Sequence, residues 1–428
     1  MTSTTPEPKS ASPRRYDHVI VGGGMVADAA ARGIRELDPD ATIAIISDDI
    51  DAPYTRPALS KKLWTDPDFT GDDVPLGTPA DTGATVLLRT RATAIDPAAH
   101  TVDIQSTVDT ESTVNPESAD GTLAYGTLLI ATGGRPVPLP IEGAAPSDRV
   151  LTFRTAEDYW HLRALADHVD RIAVVGGGYI GSELAAALVQ NGVDTVLIHS
   201  TDTLGGDIFP PGLADHFAEM FLGAGVELVG GREVVGGVAG DAGVRLDLEG
   251  GETITADAVV SGLGIEVTTD LAEAAELTVD DGIVVDARLR TSSDDVFAAG
   301  DVADYPDRIL GRRRVEHVDN AEQMGRQAGR NLAGADEDYT HTPYYYSAVF
   351  GTRYEAVGTL DASLDTVEDW TTEYEKGVVY YLDDDRVVGV LLWNISDSTE
   401  STESTDAARA VLAEDGPVDH TALKGRIS

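Results

Sequence analysis

This sequence predicts an α/β protein with two doubly wound parallel-sheet units, the second inserted into the first, and a smaller α+β domain at the C-terminus. Three observations predict it. Two stretches, "YDHVIVGGGMVADAAARGIREL" (16–37) and "RIAVVGGGYIGSELAAALVQNGVDTVLIHS" (171–200), each run from an apolar strand through a glycine turn into an alanine-rich helix. A strand with a glycine turn, "VFAAGDVAD" (296–304), follows the second of these, as if an interrupted unit were being completed. At 428 residues the chain is too long for one ordinary core and long enough for two or three. Both repeated stretches have the pattern of Rossmann-like, dinucleotide-binding units.

The elements read in order as follows. Residues 1–15, rich in Ser, Thr and Pro, form a loose, disordered tail. Arg14-Arg15 is not a twin-arginine export signal, because a strand and a glycine turn follow it instead of an apolar segment. Residues 16–150 are the first part of the first unit. Gly22 permits its tight turn, Gly24 lets the backbone approach a pyrophosphate, and Ala27 fills the third small position, where helix and strand pack. A second strand, "ATIAIIS", ends at Asp48, about where a ribose hydroxyl needs a carboxylate acceptor. "LLIATGGRP" (128–136) is a further strand entering a glycine turn.

Residues 151–284 are the inserted unit, with Gly176, Gly178 and Gly181 at the spacing of the first turn. Each such helix start can neutralise one pyrophosphate through its free N–H groups, so two turns mean two nucleotides. The second copy departs from pattern. His199 and Ser200 stand where a site for NAD usually has Glu or Asp, and Asp202 lies slightly beyond, so NADH and NADPH both stay open. Residues 285–340 return to the first unit, with Gly300-Asp301 at a strand's C-terminal edge, where ligands bind in open α/β sheets. In residues 341–428, "YYYSAVFGTRYEAVG" alternates like strands, "VVYYLDDDRVVGVLLWN" is a hairpin and "DAARAVLAEDG" a closing helix.

Composition narrows the function. The chain holds 74 acidic residues against 31 basic ones, for a formal charge of −43. Nucleic acid is excluded as a partner, because its phosphates would be repelled. The acid is spread along the whole chain, as suits a halophilic protein of a salt-rich cytoplasm, where molar salt shortens charge repulsion to roughly 3 Å; an acidic partner-binding face is the rival reading. No apolar run reaches the ~18–20 residues that span a bilayer, and the expected location is cytoplasmic. There is no cysteine, which excludes a redox dithiol, a cysteine-held iron–sulfur cluster and a thiolate nucleophile. Redox chemistry must then reside on a bound cofactor, and nothing in the sequence asks for a metal.

Against this acidity, "YTRPALSKKLW" (54–64) gathers Arg56, Lys61 and Lys62, although the chain has only five lysines. Together with "GGGYIGSELA", "GRRRVEHVDNAEQMGRQAG", "YEAVG" and "KGVVYYLDDDRVVGVLLWNI", this stretch resembles the FAD-dependent pyridine-nucleotide oxidoreductases. The resemblance covers about residues 16–415 and is greatest to apoptosis-inducing-factor-like flavoproteins, less to ferredoxin (rubredoxin) reductases; the acidity suits a haloarchaeal member.

The resemblance implies FAD on the first turn and NADH or NADPH on the second. It places Arg56 at the FAD pyrophosphate and Lys61 beside the flavin ring, paired with Glu183 from the other unit. It adds FAD contacts at Ala92, Thr132, Gly133, Arg154, Gly300, Asp301, His317, Val318 and Tyr346. For the nicotinamide nucleotide it implies Gly176, Gly177, Gly178, Tyr179, Ile180, Gly181, Asp202, Gly264, Glu316 and Glu355. Lys61, Glu183 and His317 are the residues expected at the chemistry. The relatives' acid after the aromatic–serine pair is absent here, where Tyr346-Ser347-Ala348 stands.

The expected reaction is hydride transfer from NAD(P)H to the flavin N5, then delivery of electrons to a ferredoxin-like protein, a quinone or dioxygen. The alternative is a redox sensor in which a long-lived flavin–nicotinamide complex controls homodimerisation.

Overall fold

A computed structural model of the chain describes residues 13–107, 120–142, 148–395, 402–414 and 416–427. The first sheet holds β1 (Arg14–Val21), β2 (Ile43–Ile46), β3 (Thr85–Leu87), β4 (Thr90–Asp96), β5 (Thr101–Ser106) and β6 (Gly121–Ile130) in the order β3-β2-β1-β6-β5-β4. β1 pairs in parallel with β2 and β6, while β5 pairs antiparallel with β4 and β6. The strand next to the centre of this sheet comes from far along the chain. β12 (Val296–Ala298) lies parallel to β6, so the first unit is interrupted and completed later.

The second sheet is wholly parallel, in the order β10-β9-β8-β11-β7. Its strands are β7 (Val150–Thr152), β8 (Arg171–Val175), β9 (Asp194–Ile198), β10 (Glu227–Val229) and β11 (Ala258–Ser261). Their apolar runs are buried on both faces, as sheets covered by helices on each side require. The C-terminal domain is an antiparallel sheet of five strands: β13 (Tyr344–Val349), β14 (Thr352–Gly358), β15 (Asp365–Thr372), β16 (Lys376–Asp383) and β17 (Arg386–Trp393). Their order is β13-β14-β17-β16-β15, and α5 (Thr402–Leu412) closes the domain, so the expected strands, hairpin and helix are all present. No helix among the described residues is long and apolar enough to cross a membrane.

Small residues bring the first unit's two main helices together. α1 (Met25–Leu37) packs against α4 (Val318–Leu332) through Gly33, Gly325 and Gly329. A Cβ at Gly329 would lie 2.0 Å from the Ala30 carbonyl oxygen, and one at Gly33 lies 2.2 Å from that of Arg326. Contacts this close between helix backbones tolerate no side chain.

Three sequence expectations need correction. β1 reaches back to Arg14, which pairs with Leu123, so Arg14 and Arg15 belong to the sheet and not to the tail; residues 1–12 lie outside the described residues. Ala272, Leu277 and Ile283 pack in the core of the first sheet, so the return into the first unit begins before residue 284. The cationic stretch, although early in the chain, packs Tyr54, Leu59 and Trp64 into the core shared by the second sheet and the C-terminal sheet. That last packing is what lets a lysine of the first unit face the second.

Candidate active site

The two glycine turns open onto one cleft of about 1250 Å³. The first turn follows β1: Gly22 has φ +117°, and its N–H donates to the Ile46 carbonyl at 2.9 Å. A Cβ there would sit 2.1 Å from the Ala131 carbonyl oxygen. Gly24 then caps α1 with no side-chain hydrogen bond, and a Cβ there would meet nothing nearer than the Arg56 guanidinium at 3.9 Å. The start of α1 is therefore open towards the cleft, with a cation beside it.

The second turn repeats this geometry. Gly176 has φ +115° and donates to Ile198 at 2.9 Å, and Gly178 caps α3 (Tyr179–Gln190) with open space where its Cβ would be. Gly181 plays a different part. Its Cβ would lie 1.8 Å from the Gly176 carbonyl oxygen, so it serves helix–strand packing and lies off the cleft wall.

Arg56 and Arg154 stand together on the cleft wall. Arg56 Nη1 donates to the Arg154 carbonyl at 3.2 Å, and Arg154 Nη2 to Asp301 Oδ2 at 2.8 Å. Burial first, and then the neighbouring Arg154 charge, push the Arg56 guanidinium below its ordinary range. Arg154 Nε is buried with no hydrogen-bond partner. Arg154 is thus ion-paired with Asp301, whereas Arg56 forms no ion pair among the described residues and stands beside an open helix start. Tyr54 steadies the group: its hydroxyl donates to Asp49 and accepts the Ala156 N–H, both at 3.0 Å. Ala156 begins α2 (Ala156–Ala166).

The expected Lys61–Glu183 contact is present at 2.7 Å, with the Glu183 side chain 2% exposed and that of Lys61 16%. Glu183 lies inside α3, not at its cap. Two serines complete its shell. Ser60 donates to Oε2 at 2.5 Å and Ser347 to Oε1 at 2.7 Å, so two separate segments, one carrying Ser60 and Lys61 and the other Ser347, converge on one carboxylate. Lys61 Nζ also lies 5.4 Å from the Tyr346 ring centroid, and Arg353 lies 4.2 Å from it, so the ring has a cation contact with each. Burial pushes the Tyr346 phenol up to about 12.

His317 caps α4, and its Nε2 faces the Tyr346 N–H at 3.1 Å. Burial lowers its pKa to about 4, against a smaller opposing pull from Asp319. The ring is therefore neutral at ordinary pH. Its folded pKa lies below the unfolded value near 6.5, so the unfolded chain binds the proton more readily and stability falls as the pH drops from about 6.5 towards 4. A His317→Gln variant should lose on the order of 2 kcal/mol less stability than the wild type over that interval. Chemical denaturation at both ends of the window measures it, and parallel losses would remove His317 as the cause.

The cleft gathers most of the residues singled out by sequence. Asp48, Ala92, Thr132, Gly133, Gly177, Tyr179, Ile180, Gly264, Glu316 and Val318 all line it. Ala27 is fully buried in helix packing, and Gly300 meets Val26, so neither reaches the wall. Asp202 is exposed away from the cleft, and Glu355 is 2% exposed behind it, bound by Arg353 at 2.7 Å. His199 is buried beneath the turn, where a Cβ on Gly177 would come 2.8 Å from its own Cβ; Ser200 lines the cleft instead. Ser60, Tyr54 and Arg353 were not singled out as site residues, since their sequence neighbourhood says nothing of the distant groups they touch.

The sequence profile of the pyridine nucleotide-disulphide oxidoreductase family matches residues 16–325. The chain belongs to this family. The profile "Apoptosis-inducing factor, mitochondrion-associated, C-term" matches residues 368–413. A Drosophila melanogaster protein named as a mitochondrial apoptosis-inducing factor 1 is 29% identical over 92% of this chain, which spans only 63% of that protein's length. The 3-phenylpropionate/cinnamic acid dioxygenase ferredoxin–NAD(+) reductase component of Photorhabdus laumondii is 28% identical, over 89% of this chain and 93% of its own. Among solved structures, the reductase fold in the covalent putidaredoxin reductase–putidaredoxin complex superposes with a TM-score of 0.82 at 27% identity, covering 95% of each chain.

This member of the family is an FAD-dependent NAD(P)H oxidoreductase, and with no cysteine it has no redox disulphide. The cleft fits these cofactors. It is larger than the ~300–1,000 Å³ of a site for one drug-sized ligand, and its two open helix starts, with the Arg56 guanidinium beside the first, suit phosphates.

Proposed function

We propose that this oxidoreductase takes hydride from NAD(P)H and delivers the electrons to a separate acceptor, a ferredoxin-like protein in the first instance, with quinone or dioxygen as alternatives. The observation that carries the proposal is one cleft with two open, glycine-capped helix starts in a chain without a single thiol. The names of the Photorhabdus relative and the putidaredoxin complex support the ferredoxin-like choice. The uniform acidity supports work in the salt-rich cytoplasm of a halophile, with no nucleic-acid partner.

When bound, FAD supplies the ring that accepts hydride from the nicotinamide. The chain's own part is orientation and electrostatics. Gly22, Gly24, Arg56 and Arg154 hold the FAD phosphates, with Asp301 fixing Arg154 and Asp48 accepting from a ribose. Ala92, Thr132, Gly133, His317, Val318 and Tyr346 line the flavin's space; Gly176, Gly177, Gly178, Tyr179, Ile180, Gly264 and Glu316 line that of the nicotinamide nucleotide. Lys61 presents a fixed positive charge to incoming negative charge, and Glu183, Ser60 and Ser347 hold it in place. Neutral His317 acts as a hydrogen-bonding cap and not as an imidazolium acid at neutral pH.

The match over residues 368–413 favours a second reading, a redox sensor in which reduction changes dimerisation. Stopped-flow reduction in molar KCl followed by acceptor addition separates the two. Rapid multiple turnover with ferredoxin or quinone is the expected result. Slow reoxidation, a stable long-wavelength band and a doubled mass would favour the sensor.

A further inference from the structure

The two nucleotide units can be superposed residue by residue from their own hydrogen bonds. Gly22 follows β1 and donates to Ile46, the last residue of β2, as Gly176 follows β8 and donates to Ile198, the last residue of β9. One residue further, Ser47 lies under Gly23 as His199 lies under Gly177; in each case the glycine's Cβ would strike that side chain. The next pair is then Asp48 and Ser200, and the one after it Asp49 and Thr201. Asp48 and Ser200 both line the cleft. Where the first unit presents a carboxylate to its nucleotide, the second presents a hydroxyl.

That exchange decides what a ribose in the second unit can carry. A carboxylate at this place accepts from a free 2′-hydroxyl and repels a 2′-phosphate; a serine hydroxyl donates to a phosphate oxygen at no charge cost. The nearest acid beyond it, Asp202, is turned onto the adjoining loop, where its Oδ1 lies 2.9 Å from the Cβ position of Gly231. The same loop brings a cation. Arg232 donates its backbone N–H to the His199 carbonyl at 3.1 Å, and its half-exposed guanidinium, off the cleft wall in this structure, donates to the Gly231 carbonyl at 2.8 Å and pairs with Glu252 at 3.4 Å, a surface contact that is weak and easily exchanged. In molar salt the chain's overall −43 charge is screened within roughly 3 Å, so contact groups and not the distant acidity set the choice.

We infer that the second site takes a 2′-phosphorylated nicotinamide nucleotide, NADPH, with Ser200 as the specificity-determining residue and Arg232 as the adjacent cation. This rests on the second unit's role as the nicotinamide site. A hydrogen bond to a charged group contributes about 1.5–3 kcal/mol, which corresponds to a preference of tenfold or more.

The test compares wild type, Ser200→Asp and Arg232→Gln, each loaded with FAD in molar KCl, by kcat/KM for NADPH and NADH. Calorimetric titration with adenosine 2′,5′-bisphosphate and with 5′-AMP gives a readout independent of turnover. Wild type should prefer NADPH about tenfold, and Ser200→Asp should lower the NADPH/NADH ratio at least about tenfold, chiefly through KM. Arg232→Gln should lower it less, and wild type should bind the bisphosphate more tightly than 5′-AMP. Ser200 is exposed, so the variant should fold. A wild-type preference for NADH, an unchanged ratio in Ser200→Asp, or equal binding of the two adenosine phosphates would overturn the inference. Flavin bleaching by NADH alone would sink only this inference; no bleaching by either would sink the reductase reading as well.

Discussion

Replacing Glu183 with alanine is expected to cost about 3 kcal/mol of stability and to slow flavin reduction by NAD(P)H at least about tenfold. The carboxylate is buried and holds Lys61, Ser60 and Ser347 at 2.7, 2.5 and 2.7 Å, so its removal leaves a largely buried ammonium and two hydroxyls without their acceptor. Breaking one side of a buried pair costs more than the pair contributes, because an uncompensated charge stays behind. The double variant Lys61→Met/Glu183→Leu separates the two effects. It should recover most of the lost stability, since an apolar pair replaces an ionic one, but reduction should stay slow because no cation stands at the place of Lys61. Thermal unfolding measures the first and anaerobic stopped-flow the second. A double variant that reduces at the wild-type rate would show that Lys61 has a purely structural role.

Arg56→Gln should move two quantities in opposite directions. The cofactor-free protein should gain about 1 kcal/mol, because Arg56 is half-buried next to the like charge of Arg154 and, besides a cation contact with the Tyr54 ring, hydrogen-bonds only to the Arg154 carbonyl among the described residues. FAD should bind roughly 10- to 100-fold more weakly, the loss of one charge-assisted contact to phosphate. Denaturant unfolding of apoprotein and calorimetric FAD titration give the pair of numbers. A guanidinium placed only for structure would lower stability and leave FAD affinity unchanged. Opposite signs are the mark of a residue held in strain for its ligand.

How much of this was readable in the sequence depends on the range of each interaction. The glycine turns were legible because a positive φ at Gly22 and Gly176 is a local demand that few residues meet. The discontinuous first unit was legible from the recurrence of strand and turn at 296–304. The Lys61–Glu183 pair, 122 residues apart, came from resemblance, since no spacing rule reaches so far. At the end of β9 the sequence left His199 and Ser200 undecided. The apolar run stops at Ile198, but only the turn's hydrogen bond shows that His199 goes under the glycine and Ser200 onto the wall. Residues 270–284 were assigned to the wrong unit because Ala272 and Leu277 show that a segment packs without showing on which sheet. The same limit hid Arg353, whose contact with Tyr346 depends on the pairing of β13 with β14.

The central claim is that a flavin and a nicotinamide nucleotide share the cleft that these two turns open. Anaerobic titration of the FAD-saturated protein in molar KCl with NADPH, and separately with NADH, tests it most directly. The flavin absorbance should bleach in proportion to added nucleotide until one equivalent has been consumed. A folded protein with FAD bound whose absorbance stays unchanged under excess of both nucleotides would contradict the account.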